Sequence, residues 1–184
     1  MKRLFDIAVS SLLVLIFMPL MIAVAIAVRL ESPGPVIYRQ TRVGLNLRHF
    51  RIIKFRSMVA GADLIGGHST SPGDTRVTRV GRFIRRTSLD ELPQIFNVLQ
   101  GDMSLVGPRP DVPMQETLYT SEDWIRRHRV RPGITGPAQA TVRSTAKPGE
   151  RLRLDLEYVD TASLYGDLLI LAKTVKQVLT RGSY

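Results

Sequence analysis

Cysteine is absent from the 184 residues, which rules out disulfides and thiolate metal sites together. A chain without disulfides fits a reducing, cytosolic setting. Histidine is nearly absent as well. His49, His68 and His128 lie far apart, show no metal-ligand spacing, and each reads as a surface residue. There are no internal repeats and no second domain boundary in the soluble part, so that part reads as one ordinary domain with a buried core. Acidic residues are in short supply: 16 Asp and Glu stand against 26 Lys and Arg, a formal net charge of +10. That balance suits polyanionic partners, whether nucleic acid, anionic head groups or phosphorylated substrates. Nucleic acid is the poorest fit. The run Arg126, Arg127, Arg129 and Arg131 has no interleaved exposed aromatics and belongs to no reader motif.

What the chain does have is one long apolar run. Met1-Lys2-Arg3-Leu4-Phe5-Asp6 leads into Ile7 to Val28, interrupted only by Ser10, Ser11 and Pro19. About 20 apolar residues suffice for a helix to cross a bilayer. No small-x-small cleavage site follows before Arg29, so a secretory signal is not indicated. Pro19 sits mid-run, where it removes a backbone hydrogen bond. The flanks are basic on both sides, Lys2 and Arg3 before and Arg29, Arg39, Arg42 and Arg48 after. The positive-inside rule therefore wants both ends in the cytoplasm. A helix–break–helix at Pro19 that enters and leaves by one leaflet satisfies both observations; a bent single span is the alternative.

Ser32-Pro33-Gly34-Pro35 closes this segment. Val36 to Gln40 and Phe50 to Phe55 are β-prone around turn positions Gly44 and Asn46, and read as a small hairpin. Gly61 to Asp74, rich in Gly, Ser and Pro, reads as a mobile lid over a site. Ser88 opens a helix in which Leu89, Leu92, Phe96 and Leu99 share the core face, with Gly101 as its stop. Pro108 and Pro110 force an extended turn around Arg109. Asp123 to Arg131, Glu150 to Val159 and Leu164 to Leu179 read as helices, and Pro132-Gly133 with Gly136-Pro137 as a second rigid loop. The expected fold is α+β, mainly helical with a small β-hairpin. Residues 1–31 form a re-entrant membrane helix and residues 32–184 a cytosolic catalytic domain at the membrane interface.

Asp90-Glu91 is the candidate for chemistry. Ser88-Leu89-Asp90-Glu91 also reads as a capping box, with Glu91 returning to the Ser88 backbone, although Pro93 sits awkwardly in that helix. Arg82, Arg85, Arg86 and Arg109 flank the pair in sequence. A carboxylate among cations is expected to have a lowered pKa and stay ionised as a nucleophile. Guanidinium groups bind phosphate oxygens, so the set points to phosphoryl transfer. A glycosidase would place its two carboxyls on either side of the bond.

Four motifs stand in order: Lys54-Phe55-Arg56-Ser57-Met58, Thr87-Ser88-Leu89-Asp90-Glu91-Leu92-Pro93-Gln94, Asn97 through Pro110, and Arg131-Pro132-Gly133-Ile134-Thr135-Gly136. The chain closely resembles the monotopic phosphoglycosyl transferases, the bacterial sugar transferase family, from Lys2 to about Leu179. It corresponds to that family's minimal catalytic unit without extra spanning helices. The resemblance implies a sugar-1-phosphate transferase at the cytoplasmic face of the bacterial inner membrane. Such enzymes move a phospho-sugar from a UDP-sugar to polyprenyl (undecaprenyl) phosphate, by ping-pong chemistry with Mg²⁺ and release of UMP. This is the first membrane step of O-antigen, capsule, exopolysaccharide or glycoprotein assembly. It implies Asp90 as nucleophile and metal ligand, Glu91 as its dyad partner, and Lys54, Arg85, Arg109 and Asp155 in substrate binding. Of the family's W-A-Q-x-x-G-R stretch, Gln139 and Arg143 remain as substrate contacts, but Pro137 replaces the tryptophan. Met18 stands before Pro19 where the family often has serine. A UDP-sugar, polyprenyl phosphate and the lipid bilayer are the implied partners; a homodimer is left open. An ordinary glycosyltransferase releasing UDP is the rival, but its frequent D-x-D motif is absent, Asp155-Leu156-Glu157 being a near miss.

Overall fold

The computed structural model describes residues 1–62, 73–141 and 148–181. Residues 63–72, which make up most of the expected lid and include His68, lie outside the described residues, as does Arg143. Helix α1 runs from Lys2 to Glu31. At about 1.5 Å per residue it is roughly 45 Å long. Leu4, Leu12, Leu15, Ile16, Ile22 and Ile26 are each more than half exposed along it. An apolar face of that size suits lipid better than water.

Asp6, Ser10, Met21, Val24 and Val28, by contrast, are buried against the remainder of the protein. Both ends of α1 dock there. Lys2 pairs with Asp167 and donates to the Val106 carbonyl (3.1 Å) and the Tyr158 hydroxyl (3.3 Å). The Asp6 carboxylate accepts from Ser104 Oγ and Leu105 N. At the other end, the Arg56 guanidinium donates to the carbonyls of Ser32 and Pro33, both at 2.7 Å, so the exit from the helix is capped by a side chain. The expected helix–break–helix takes a different form: the helix continues through Pro19 as one element. A proline costs a helix its own N–H bond and crowds one carbonyl, a loss that an apolar helix tolerates without ending.

Strands β1 (Ile37–Val43) and β2 (His49–Phe55) form the expected hairpin, in antiparallel register from Ile37 opposite Phe55 to Val43 opposite His49. Asn46 (φ 52°) and Leu47 (φ 62°) turn it. Helix α2 (Arg79–Arg86) comes next, and the single helix expected from Ser88 is instead two pieces, a 3₁₀ turn at Leu89–Glu91 and α3 (Gln94–Gln100). Pro93 lies just ahead of α3, where its missing N–H costs no helical bond. Gly101 ends α3 at φ 96°, a conformation that favours glycine.

Strand β3 (Ser104–Val106) pairs in parallel with β4 (Gly133–Thr135), a pairing invisible to periodicity in three-residue strands. Gly107 and Gly133 permit it, since a Cβ on Gly133 would stand 2.1 Å from the Gly107 nitrogen. Helices α4 (Ser121–Arg127), α5 (Pro137–Thr141), α6 (Pro148–Thr161) and α7 (Leu164–Arg181) complete the chain. Two apolar clusters hold it together, and α1 feeds both. Phe5 and Val9 pack on Phe50, Ile52, Val98 and Met103; Met21, Val24 and Val28 join Phe55 and Ile84. The second cluster also takes Leu89, Leu92 and Phe96, the core face expected from their spacing.

Candidate active site

The acid pair owes its placement to a strained residue. Ser88 adopts φ 55°, ψ 18°, a left-handed conformation costly for a residue with a Cβ. The turn after it sends Leu89 to the core and leaves Asp90 and Glu91 half-buried. No capping box forms, because Ser88 makes no side-chain cap bond. Glu91 Oε1 instead accepts from Lys54 Nζ at 2.8 Å and from Arg109 at 2.7 Å. Lys54 comes from the end of β2 and Arg109 from the Pro108–Pro110 turn, so three separate segments converge on one carboxylate.

The two acids differ in commitment. Both oxygens of Asp90 are without a hydrogen bond or ion pair among the described residues. Burial and the neighbouring Glu91 charge raise its pKa to about 6, against the opposing pull of Lys54, Arg85 and Arg109. Burial would raise Glu91 too, but Arg109 and Lys54 outweigh it and hold that carboxyl well below the usual range. Burial lowers the Lys54 pKa, opposed by Glu91. The lowered pKa expected for the nucleophile thus falls on its neighbour. Asp90 still ionises below neutrality, and a carboxylate of higher pKa is the better nucleophile.

Arg85 is fixed by a 2.7 Å bond from Nε to Ser57 Oγ, and its charge bears on Asp90. Arg82 and Arg86 are exposed. Asp155 is elsewhere: it is 3% exposed and its Oδ2 accepts from Arg127 Nε (3.0 Å) and NH2 (2.8 Å). Gln139 has both amide atoms buried and without a hydrogen-bond partner among the described residues. His128, expected at the surface, is 3% exposed; its Nδ1 lies 2.7 Å from the Trp124 carbonyl. His49 is exposed as expected. Sequence reading missed Arg127 and Asp111, which form a buried ion pair. The available signal was the spacing Trp124, Arg127, His128, one helical face that turns inward.

No group of three or more His, Cys, Asp or Glu side chains that could hold a metal ion occurs among the described residues. Mg²⁺ needs fewer, since it is held by one or two carboxylates with phosphate oxygens and water. Asp90, hard, anionic and uncommitted, fits that role; Glu91, already holding two cations, does not.

A family profile described as Bacterial sugar transferase matches residues 1–181. The undecaprenyl-phosphate glucose phosphotransferase of Komagataeibacter xylinus is 45% identical over 100% of this chain, which spans 37% of that relative. The UDP-glucose:undecaprenyl-phosphate glucose-1-phosphate transferase of Caulobacter vibrioides is 42% identical over 97% of this chain and 70% of its own length. A UDP-N-acetylgalactosamine-undecaprenyl-phosphate N-acetylgalactosaminephosphotransferase of Aeromonas hydrophila is 46% identical, again over 97% of this chain but 44% of the relative. Relatives at the same distance thus carry names with different sugars.

Proposed function

This chain belongs to the bacterial sugar transferase family, and from that premise we propose that it transfers a phospho-sugar from a UDP-sugar to a polyprenyl phosphate through Asp90. The observation that carries the reading is the division between the two acids: Glu91 spent on Lys54 and Arg109, Asp90 left uncommitted and ionised above about pH 6.

An Asp90 carboxylate oxygen attacks the phosphorus that bears the sugar. The bond from that phosphorus to the oxygen bridging the α-phosphate breaks, and UMP departs with the electron pair, needing no proton. A phosphate oxygen of the lipid then attacks the same phosphorus, and Asp90 leaves as the carboxylate. Arg85 and Arg109 flank the path and offset the charge on the phosphoryl oxygens. Glu91 keeps Lys54 and Arg109 in register. Mg²⁺, when bound by Asp90 and the diphosphate, would supply further charge neutralisation.

Support for a same-leaflet placement of α1 comes from its two docked ends. Lys2 and Arg56 fasten opposite ends of a helix roughly 45 Å long to one body. A straight span would carry those ends to opposite sides of the membrane. With no native cysteine, Leu4→Cys and Leu30→Cys serve as single reporters. Both should resist an impermeant thiol reagent in intact cells and react after lysis; labelling of either from outside would establish an ordinary span.

The chemistry is tested by brief mixing with a panel of UDP-sugars and Mg²⁺, without lipid, followed by intact-protein mass spectrometry. One phospho-sugar should add to the peptide containing Asp90, with UMP in solution. Release of UDP would select an ordinary glycosyltransferase instead.

A further inference from the structure

We infer that Asp155 and Arg127 are positioning residues for Arg109, fixing the arginine that faces the diphosphate without touching substrate themselves. The inference rests on the phosphoryl-transfer reading for what Arg109 grips.

The Arg109 turn is held by its carbonyls, four in succession, by donors from β1, β4 and α4. Gly133 N donates to Pro108 (3.0 Å), Arg127 NH2 to Arg109 (2.8 Å), Arg42 NH1 to Pro110 (3.0 Å) and Val43 N to Asp111 (2.9 Å). The Arg109 side chain is 52% exposed and crosses to Glu91. Its backbone is therefore pinned while its guanidinium stays accessible. Three of these donors belong to regular strands or to a side chain reaching from one. The fourth depends on a buried side chain whose own orientation must be fixed.

Arg127 divides its nitrogens. NH1 pairs with Asp111. Nε and NH2 both donate to Asp155 Oδ2, and NH2 also holds the Arg109 carbonyl. The nitrogen that Asp155 orients is the one that grips the turn. The Arg127 and Asp155 side chains are only 5% and 4% exposed, too enclosed for a UDP-sugar to displace. Asp155 Oδ1 is buried without a hydrogen-bond partner among the described residues. Its one engaged oxygen serves the orientation of Arg127.

Asp155→Asn keeps the shape and one acceptor but removes the charge that draws in Nε and NH2. Misplacing a phosphate-binding group by even 1 Å can cost up to about a hundredfold in rate, and a loosened turn should cost about tenfold in kcat/KM. The test compares wild type, Asp155→Asn, Arg109→Ala and the double variant, each as the full chain in detergent. UMP release and UDP affinity by calorimetry are measured on all four. If Asp155 acts through Arg109, Asp155→Asn loses about tenfold in the first background and less than about twofold once Arg109 is gone. An equal loss in both backgrounds overturns the inference and leaves Asp155 a packing residue. Arg127→Lys, which cannot reach three acceptors at once, should repeat the pattern and stands in should Asp155→Asn fold poorly. The two readouts part the two readings. Wild type that binds UDP but releases no UMP refutes the reaction, and the UDP affinities then decide the positioning. Wild type that does not bind UDP overturns both.

Discussion

Two groups of acids and cations meet at Arg109, its backbone held by one and its side chain part of the other, and they are put to opposite uses. At Asp111, Arg127 and Asp155 every charge is paired and sealed from water. At Asp90, Glu91, Lys54 and Arg109 the pairing stops one short, and the carboxylate left over is half-exposed. Burial raises the carboxyl pKa values of Asp111, Asp155 and Asp90 alike. What separates them is commitment. A paired buried carboxylate is anchored, whereas an unpaired one near the surface can exchange a proton, hold a cation or attack.

The comparison breaks most visibly at Asp90. Asp90→Asn should lower UMP release by about 10⁴-fold or more, as loss of a nucleophile does elsewhere. The same change should raise thermal stability at pH 8. A pKa lifted from 3.8 to about 6 means the folded state holds its proton more tightly than the unfolded chain. Stability from this group is therefore complete below about pH 4 and lost as pH rises through about 6. Removing the charge restores on the order of 1–2 kcal/mol at pH 8, after allowing for solvent screening, and nothing near pH 3.5. Melting curves at the two pH values check it.

The sealed group should show the reverse pattern. Arg127→Ala strands two buried carboxylates and should cost about 3–5 kcal/mol in denaturant melts, and the fraction that stays folded should still lose about tenfold in kcat/KM through Arg109. Glu91→Gln comes next, with a loss of roughly a hundredfold in rate. It also carries a sign: with the Glu91 charge removed and its two cations released, the Asp90 pKa falls. The acid limb of kcat/KM, near pH 6 for wild type, should move to lower pH. A limb that stays in place would mean that Asp90 does not feel its neighbour. The smallest effect marks the boundary of both groups. Gly101→Ala, at φ 96° and in neither, should cost about 1 kcal/mol of stability and leave kcat/KM within a factor of two.

The sequence carried the residue types of the open group and little of the sealed one. Lys54, Asp90, Glu91 and Arg109 stand in motifs of recognisable spacing, and turn chemistry at Gly101 and Asn46 announces where elements end. Their electrostatics were not legible. Which of two adjacent acids takes the cations depends on the left-handed backbone at Ser88, and nothing local demands that conformation of a serine. Arg127 was hidden in a basic run with Arg126, Arg129 and Arg131, since no charge count tells a buried arginine from a solvated one. Pairing of β3 with β4 links residues about 30 apart through three-residue strands, beyond the reach of any periodic signal.

The docking of Lys2 has a consequence for the order in which the molecule is made. Helix α1 precedes the other described elements, yet the groups that receive its Lys2 are the Val106 carbonyl, Tyr158 and Asp167, 104 to 165 residues further on. Synthesis must run 165 residues past Lys2 before that end can be closed. Until then the face of α1 that carries Asp6 and Ser10, buried in the finished fold, stays open. Contacts of such sequence separation close late, and here they lie in the first turn of α1.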